Sequence, residues 1–151
     1  MIYGDVFDRL ERDGVRYVVV GGVAIRLRGY ERETRDLDLV VDAAPAEALR
    51  ATQSLWAAGF VPAIPLPLSM LTVLRMLDGA GRAVDVFARF PIPFEELWSG
   101  SERLRFGETT VRVASVADLI REKRYQGRPQ DLRDVEGLLA AERLRAGRPE
   151  P

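Results

Sequence analysis

The sequence lacks two residue types on which much enzyme chemistry depends: it contains no cysteine and no histidine. Disulfide bonds, thiol chemistry and zinc sites of the usual cysteine–histidine type are therefore excluded. Serine–histidine–aspartate triads and any histidine base are excluded for the same reason. Acid–base chemistry would fall to carboxylates, lysine, tyrosine or a metal-bound water. The absence of cysteine is typical of a cytoplasmic protein, which is the location that we expect.

Long apolar runs and a net charge of one sign are also missing. No apolar run approaches the roughly 18 residues that a membrane span needs, so we expect a soluble protein with no membrane partner. The net charge of −1 gives no overall basic character that would indicate nucleic-acid binding. With 47% hydrophobic residues, 151 residues can close one core. We expect a single domain over residues 1–151, with a core over 1–114, a C-terminal helical segment over 115–145 and a tail over 146–151.

The most informative segment covers residues 17–42 and reads YVVVGGVAIRLRGYERETRDLDLVVD. Its first four residues are apolar and rich in β-branched side chains, which predicts a buried strand ending at Gly21 and Gly22. Glycines permit a sharp turn and a close approach of the backbone to a ligand. A short helix is expected over residues 23–27. A helix that begins at a glycine turn is a natural phosphate-binding site.

The segment ends in a strand with two aspartates, Asp36 and Asp38. Their spacing places both carboxylates on one side of the strand, and Leu37, Leu39 and Val41 on the core side. Adjacent carboxylates repel and raise each other's pKa, and a divalent ion such as Mg²⁺ removes that conflict. Alone, the aspartates fit a solvated edge and the glycines an ordinary turn. Together they indicate metal-assisted phosphoryl or nucleotidyl transfer.

Arginines are concentrated near this segment, and a second basic cluster covers residues 121–128. A local basic patch beside a phosphate site could bind a nucleoside triphosphate or an RNA end. Solvated helix faces fit the same pattern equally well. The arginines near the segment are Arg26, Arg28, Arg32 and Arg35.

The remaining segments predict a mixture of helices and strands. Before residue 71 we expect a helix over 2–12 that includes Ile2, and a helix from Pro45 to about residue 58. The second helix is predicted to bury Leu49, Leu55 and Trp56. Residues 60–70 carry three prolines and predict a loop or an edge segment.

A hairpin is expected next, with strands over 71–77 and 82–87. Asp85 lies within the second strand, where an otherwise apolar setting is costly for a carboxylate without a cation or hydrogen-bond partner. An exposed position on an edge strand is the alternative. Residues 88–102 predict irregular structure.

The C-terminal part predicts one strand and two helices. The strand covers 109–113, and Ser115 begins a helix to about residue 126 as the first residue of a capping box. The last helix is expected over residues 130–145. The residues predicted to face the core from it are Leu132, Val135, Leu138 and Leu139.

Residues 15–42 resemble the signature of the nucleotidyltransferase superfamily, which has the fold of DNA polymerase β. The signature consists of a Gly-Gly pair, a short helix and Asp-x-Asp. The form Gly-Gly-x-Ala followed by Arg-x-Thr-x-Asp-Leu-Asp most resembles the minimal nucleotidyltransferases and the AbiEii-type toxin nucleotidyltransferases. The resemblance implies an α/β (α+β) fold, with a small mixed β-sheet flanked by helices and further helices at the C-terminus.

The resemblance also implies roles for individual residues. Asp36, Asp38 and Asp85 would be the catalytic and metal-binding residues and would hold two Mg²⁺ ions, with Mn²⁺ as an alternative. Gly22 stands where many members have serine, so phosphate contacts there would come from backbone N–H groups. The implied nucleotide-binding residues are Gly21, Gly22, Arg32, Thr34, Arg35, Lys123 and Asp131.

A second point of resemblance lies at residues 113–138, where a helical lysine precedes a basic loop and Asp-x-x-Asp. The family pattern makes Lys123 a triphosphate contact and Asp131 its orienting partner. From the residues alone, Lys123 equally fits a surface lysine and Asp131 a helix N-terminal residue favoured by the dipole.

The implied activity is transfer of a nucleoside monophosphate from a nucleoside triphosphate to a hydroxyl. The acceptor would be an RNA end or a partner protein, in a toxin–antitoxin or defence system. Two alternatives stay open. One is modification of an antibiotic or another small molecule, and the other is a non-catalytic nucleotide-binding interaction module.

Overall fold

A seven-stranded mixed sheet organises residues 3–147, the part of the chain that the computed structural model describes. The strands are β1 (Tyr17–Val20), β2 (Leu37–Val41), β3 (Val61–Pro62), β4 (Val73–Leu77), β5 (Ala83–Phe87), β6 (Glu102–Phe106) and β7 (Thr109–Val113). Their order across the sheet is β3-β4-β5-β2-β1-β7-β6. β2 runs parallel to β5 and antiparallel to β1. The strand after Gly14 and the two strands that carry the aspartates are therefore neighbours.

Helices pack against this sheet and complete the mixed fold that the sequence predicts. They are α1 (Gly4–Arg12), α2 (Gly21–Leu27), α3 (Pro45–Ala57), α4 (Phe94–Gly100), α5 (Val116–Gln126) and α6 (Pro129–Ala146), with a 3₁₀ turn at Leu68–Met70. α1 and α3 contact each other and the sheet, α2 packs on β1 and β2, and α5 packs on α6. Ile2, predicted to lie in the first helix, is outside the described residues. Within residues 3–147, no helix has both the length and the apolar character needed to cross a membrane.

Capping residues fix the limits of α5, the helix that carries Lys123. The Ser115 hydroxyl accepts a hydrogen bond from the backbone N–H of Asp118 at 3.0 Å, which confirms the predicted cap. Gly127 ends the helix in the left-handed conformation, with φ of 66°. Pro129 then begins α6 at its first position, where a missing N–H leaves no hydrogen bond unmade.

The predicted buried face of α3 is wrong at two of three positions. Leu55 is buried, but Leu49 and Trp56 are 56% and 63% exposed. The buried stripe instead follows Ala48, Ala51 and Leu55, which recur at helical spacing. Small alanines let α3 approach its neighbours closely, whereas Leu49 and Trp56 each lie one residue, about 100°, off that stripe.

A similar correction applies to α6. Val135 and Leu138 are buried as predicted, but Leu132 is 50% and Leu139 36% exposed. Asp131 and Asp134 take the remaining inward positions of the helix. Two buried carboxylates are tolerated because cations pair with them, so ion pairs as well as apolar contacts set the rotation of this helix.

The prediction of irregular structure over residues 88–102 is wrong, because residues 94–100 form α4. Pro93 immediately precedes the helix. The Arg16 guanidinium lies 5.0 Å from the centroid of the Phe94 ring and 5.4 Å from that of Trp98, and it forms an ion pair with Glu95 at 2.7 Å. Contacts made by a residue 79 positions away thus stabilise a helix that is too short to be stable alone.

The strand β6, which follows α4, was also not predicted. It pairs antiparallel with β7 and places Phe106 opposite Thr109 across the two-residue turn Gly107-Glu108. Gly107 has φ of 67°, as such a turn requires. The Gly-containing turn by itself indicates a hairpin. The strand was missed because it is polar and lies at the sheet edge, so its sequence shows little apolar alternation.

Gly137 offers a test of how α6 docks. A Cβ atom at this position would lie 2.5 Å from the ring of Tyr30. Gly→Ala in a helix interior ordinarily stabilises by roughly 1 kcal/mol. Because the ring fills the space, we expect Gly137→Ala to lower the free energy of unfolding instead, by about 1–3 kcal/mol.

Urea unfolding of a double-mutant cycle measures this effect. In a Tyr30→Ala background the ring is gone, and Gly137→Ala should become neutral or stabilising. The same loss of stability in both backgrounds would contradict the proposed contact between Gly137 and Tyr30.

Candidate active site

Three charged side chains lie in a row across the centre of the sheet. The parallel pairing of β2 with β5 places Asp38 opposite Asp85, and the antiparallel pairing of β4 with β5 places Arg75 opposite Asp85. Residues directly opposite each other on paired strands project from the same face. Asp36 precedes Asp38 by two positions and joins the same face. The sheet register thus brings the three predicted carboxylates together.

Arg75 is the cation of this row. Its Nε and Nη2 atoms donate to the two carboxylate oxygens of Asp85, each at 3.0 Å. The same Nη2 atom also donates to Oδ2 of Asp36 at 2.9 Å. One guanidinium therefore bridges two of the three carboxylates, and its planar fork suits this two-oxygen contact.

Asp38 has no such partner. Its carboxylate makes no hydrogen bond or ion pair with any residue of the described range 3–147. Burial, with further contributions from the charges of Asp85 and Asp36, raises the pKa of Asp38 to about 7, although nearby Lys123 opposes the shift. A carboxylate in this state gains stability from any cation that reaches it.

The two glycines of β1–α2 are required by close contacts as well as by the turn. Gly21 has φ of 67°, and a Cβ there would lie 2.1 Å from Oδ2 of Asp38. A Cβ on Gly22 would lie 2.4 Å from the hydroxyl oxygen of Thr34. The Asp38 carboxylate and the segment before β2 therefore pack directly against the start of α2.

An open cleft of ≈ 460 Å³ collects most of the predicted site residues. This volume falls in the range of small-molecule sites. Of the ten residues predicted to form the site, Asp131 alone does not line the cleft, and Glu33 lines it without having been predicted. The lining residues are Gly21, Gly22, Arg32, Glu33, Thr34, Arg35, Asp36, Asp38, Asp85 and Lys123.

Buried carboxylates of α6 hold two cations at this cleft. Lys123 is itself buried, and its Nζ atom lies 3.3 Å from Asp131 and 3.7 Å from Asp134. Nη1 of Arg32 contacts Oδ2 of Asp134 at 2.6 Å. Asp131 also pairs with Arg128 at 2.6 Å, and this contact, with those of Lys123, holds the pKa of Asp131 below its usual value. Asp131 thus reaches the cleft through Lys123.

Comparison with solved structures identifies the fold. The lincosamide antibiotic adenylyltransferase LnuA, with lincomycin bound, aligns with a TM-score of 0.65 at 16% identity over 90% of this chain and 93% of that chain. A Thermotoga maritima protein described as a nucleotidyltransferase aligns with a TM-score of 0.67 at 15% identity over 92% and 91%. The chain has the nucleotidyltransferase fold.

A third structure, ANT(2")-Ia in complex with adenylyl-2"-tobramycin, aligns with a TM-score of 0.65 at 15% identity over 96% of this chain and 93% of that chain. No protein-family model matches the sequence, and no curated protein matches it significantly. At these identities the likeness concerns the nucleotidyltransferase fold, and the site has to be argued from its own residues.

Besides Glu33, two residues that contact side chains of the cleft without lining it were not predicted as site residues from the sequence. Arg75 could have been found from hairpin register, because the turn that places Leu77 opposite Ala83 also places Arg75 opposite Asp85. Asp134 was recognised as part of Asp-x-x-Asp. Its ion pair with Arg32, 102 residues earlier, has no local signal.

The donor chemistry of the cleft fits a hard divalent cation. Its three carboxylates supply the oxygen ligands that Mg²⁺ prefers, and Asp38 stands without a partner in the described residues. Within residues 3–147, however, no group of three acidic side chains is already arranged to hold a metal ion. Asp36 and Asp85 would have to exchange Arg75 for the ion.

Gly21→Ala tests the contact with Asp38. A left-handed alanine costs roughly 1–2 kcal/mol, and displacing the Asp38 carboxylate should bring the loss of unfolding free energy to about 3 kcal/mol or more. Gly14→Ala is the matched control, since Gly14 has φ of 66° with no atom within 4 Å of its added Cβ. Equal losses in urea unfolding of the two variants would contradict a contact-based role for Gly21.

The raised pKa of Asp38 gives a pH-dependence prediction for the metal-free protein. Between the usual aspartate pKa and about 7, folded Asp38 retains a proton that the unfolded chain has lost, so rising pH costs stability in this window. Asp38→Asn removes the titration. We expect its stability relative to the unchanged protein to increase from pH 4 to pH 7 by roughly 1–4 kcal/mol and then to level off. Urea unfolding in EDTA measures this difference, and a difference independent of pH would contradict the prediction.

Proposed function

We propose that this protein is a nucleotidyltransferase that moves a nucleoside monophosphate from a nucleoside triphosphate to a hydroxyl acceptor. The observation that carries the proposal is the convergence of Asp36, Asp38 and Asp85 with the Gly21-Gly22 turn in one cleft. In the reaction, the acceptor oxygen bonds to the α-phosphorus, the bond from that phosphorus to the bridging oxygen breaks, and pyrophosphate leaves. This chemistry needs charge neutralisation and alignment of the reacting atoms more than it needs covalent participation by the protein.

Asp36, Asp38 and Asp85 would hold Mg²⁺, which supplies charge neutralisation at the phosphates and lowers the pKa of a bound hydroxyl. Mn²⁺ has the same preference for oxygen ligands. The sequence contains no histidine, and the base that we propose for the acceptor's proton is one of these carboxylates. Asp85 is our candidate for this role. Its side chain is 17% exposed at the cleft and is held on a central strand.

Cations on the cleft wall support triphosphate binding. Lys123 and Arg32 are held by buried Asp131 and Asp134, so their positions are fixed before a ligand enters. Arg35 is exposed and makes no ion pair with any described residue, which leaves its guanidinium available to a phosphate. Thr34 packs against Gly22 and would shape the phosphate end of the cleft.

The acceptor that we favour is an RNA end or a hydroxyl of a partner protein, as in a toxin–antitoxin or defence system. Arg35, which is exposed, and Arg32, which is partly exposed, favour an anionic acceptor over a cationic one. A small-molecule acceptor is the second candidate. It is supported by the fold likeness to LnuA bound to lincomycin and to ANT(2")-Ia bound to an adenylylated tobramycin.

Transfer assays with each of four α-labelled nucleoside triphosphates and Mg²⁺ test the proposal. Acceptors should include total RNA, the protein itself, a host-cell extract, lincomycin and tobramycin. We expect label transfer that Asp38→Asn and Asp85→Asn reduce by about 100-fold or more. Asp42→Asn is the matched control, since Asp42 pairs with Arg16 outside the cleft.

Binding gives a readout that does not depend on knowing the acceptor. A non-hydrolysable triphosphate with Mg²⁺ should raise the melting temperature of the unchanged protein and of Asp42→Asn, but not that of Asp38→Asn. A shift without transfer to any acceptor would favour the non-catalytic nucleotide-binding module. Equal shifts in all three proteins would contradict the assignment of the cleft.

A further inference from the structure

Arg75 occupies the position from which a cation can contact two of the proposed metal ligands at once. Its guanidinium engages both oxygens of Asp85 and one oxygen of Asp36 at 2.9–3.0 Å. The strand register makes these contacts possible, because it places Arg75 directly opposite Asp85.

A divalent ion and this guanidinium need the same carboxylate oxygens. Asp36 and Asp85 would offer a divalent ion their carboxylate oxygens, and Arg75 now donates to three of those four oxygens. Two cations beside the same carboxylates also repel. The guanidinium and a metal ion would therefore compete for Asp36 and Asp85.

We propose that Arg75 is the resident counter-ion of the cleft, holding Asp36 and Asp85 in place until a divalent ion displaces it. The inference rests on the proposed nucleotidyl transfer and names a residue that positions its metal ligands. Arg75 makes no contact with Asp38, so this carboxylate needs no such exchange.

The exposure of the ion pair makes displacement feasible. The side chain of Arg75 is 48% exposed and that of Asp36 40%, so water can solvate both groups as they separate. The exposed contact with Asp36 contributes little net stability, so the two-oxygen contact with Asp85, whose side chain is 17% exposed, is the one that a metal ion has to outcompete. The released guanidinium remains on β4, beside the cleft, where the phosphates of a nucleotide would offer it a new partner.

Metal binding and nucleotide binding should therefore be coupled. A metal alone has to break the contacts of Arg75 without offering the guanidinium a new anion, whereas a metal with a triphosphate supplies one. The triphosphate should therefore raise the affinity of the cleft for the metal. Such an effect of one ligand on the binding of another is a coupling free energy.

A structural role for Arg75 would produce the opposite effect on metal affinity. If the guanidinium only kept the carboxylates in position, its removal would let Asp36 and Asp85 move apart and would weaken metal binding. The counter-ion role instead predicts a gain of affinity when Arg75 is removed, and a loss of structure alone does not produce such a gain.

The test is a Mn²⁺ titration of the full-length, nucleotide-free protein, with free Mn²⁺ measured by electron paramagnetic resonance. We expect Arg75→Met to bind Mn²⁺ about five- to tenfold more tightly than the unchanged protein. Arg75→Lys keeps the charge but lacks the planar fork that spans two carboxylates. Its Mn²⁺ affinity should lie between those of Arg75→Met and the unchanged protein. Arg103→Met is the control, because Arg103 lies on β6 at the opposite edge of the sheet and its loss changes the net charge equally.

The triphosphate arm separates the two proposals. With a non-hydrolysable triphosphate present, the gain in Mn²⁺ affinity of Arg75→Met over the unchanged protein should shrink or reverse. Unchanged or weaker Mn²⁺ binding by Arg75→Met and by Arg75→Lys, both melting cooperatively, would overturn the counter-ion role and leave nucleotidyl transfer standing. An equal gain in Arg103→Met would overturn it as well, as a general charge effect. No Mn²⁺ binding by any of the proteins, with or without triphosphate, would overturn both proposals.

Discussion

The parallel pairing of β2 with β5 is the constraint on which the site depends. It places Asp38 beside Asp85 at the centre of the sheet, with Asp36 two positions away on the same face. Burial of a carboxylate beside like charges is unfavourable, and burial first, then the charges of Asp85 and Asp36, raise the pKa of Asp38. A sheet whose only purpose was stability would carry apolar residues at these positions. The arrangement fits the proposed function, in which a bound cation would supply the missing stabilisation.

Charge of alternating sign extends from this point to the C-terminal helices. Arg75 and Lys123 lie next to the cleft carboxylates, and buried Asp131 and Asp134 lie behind Lys123. Removing one member of a buried pair commonly costs about 3–5 kcal/mol, because the other charge is left uncompensated. The docking of α5 and α6 is thus tied electrostatically to the same face of the sheet that carries the aspartates. This link gives the C-terminal helices a role in the site although they contribute few groups to its surface.

Rigid and exchangeable contacts are divided between the two sides of the cleft. On the side of α2, Gly21 packs on Asp38 so closely that no side chain can be added. On the side of β4, Arg75 reaches the carboxylates with a long, half-exposed side chain. Under the proposed function, a site that admits a metal, a nucleotide and an acceptor would benefit from such a division. The fixed backbone would preserve the alignment, and an exchangeable counter-ion would stabilise the empty state without blocking the loaded one.

The sequence alone determined the centre of the fold and the candidate site. Short-range signals are strong there, since a β-branched strand, a glycine pair and alternating aspartates each restrict the local backbone. Elsewhere, long-range contacts decided the outcome. Arg16 stabilises the unpredicted helix α4 from 79 residues away, and Arg32 helps to turn Asp134 of α6 inward, so that predicted core residues such as Leu132 face solvent. Local propensity carries no information on such pairings, because their energy exists only once distant strands and helices have been brought together.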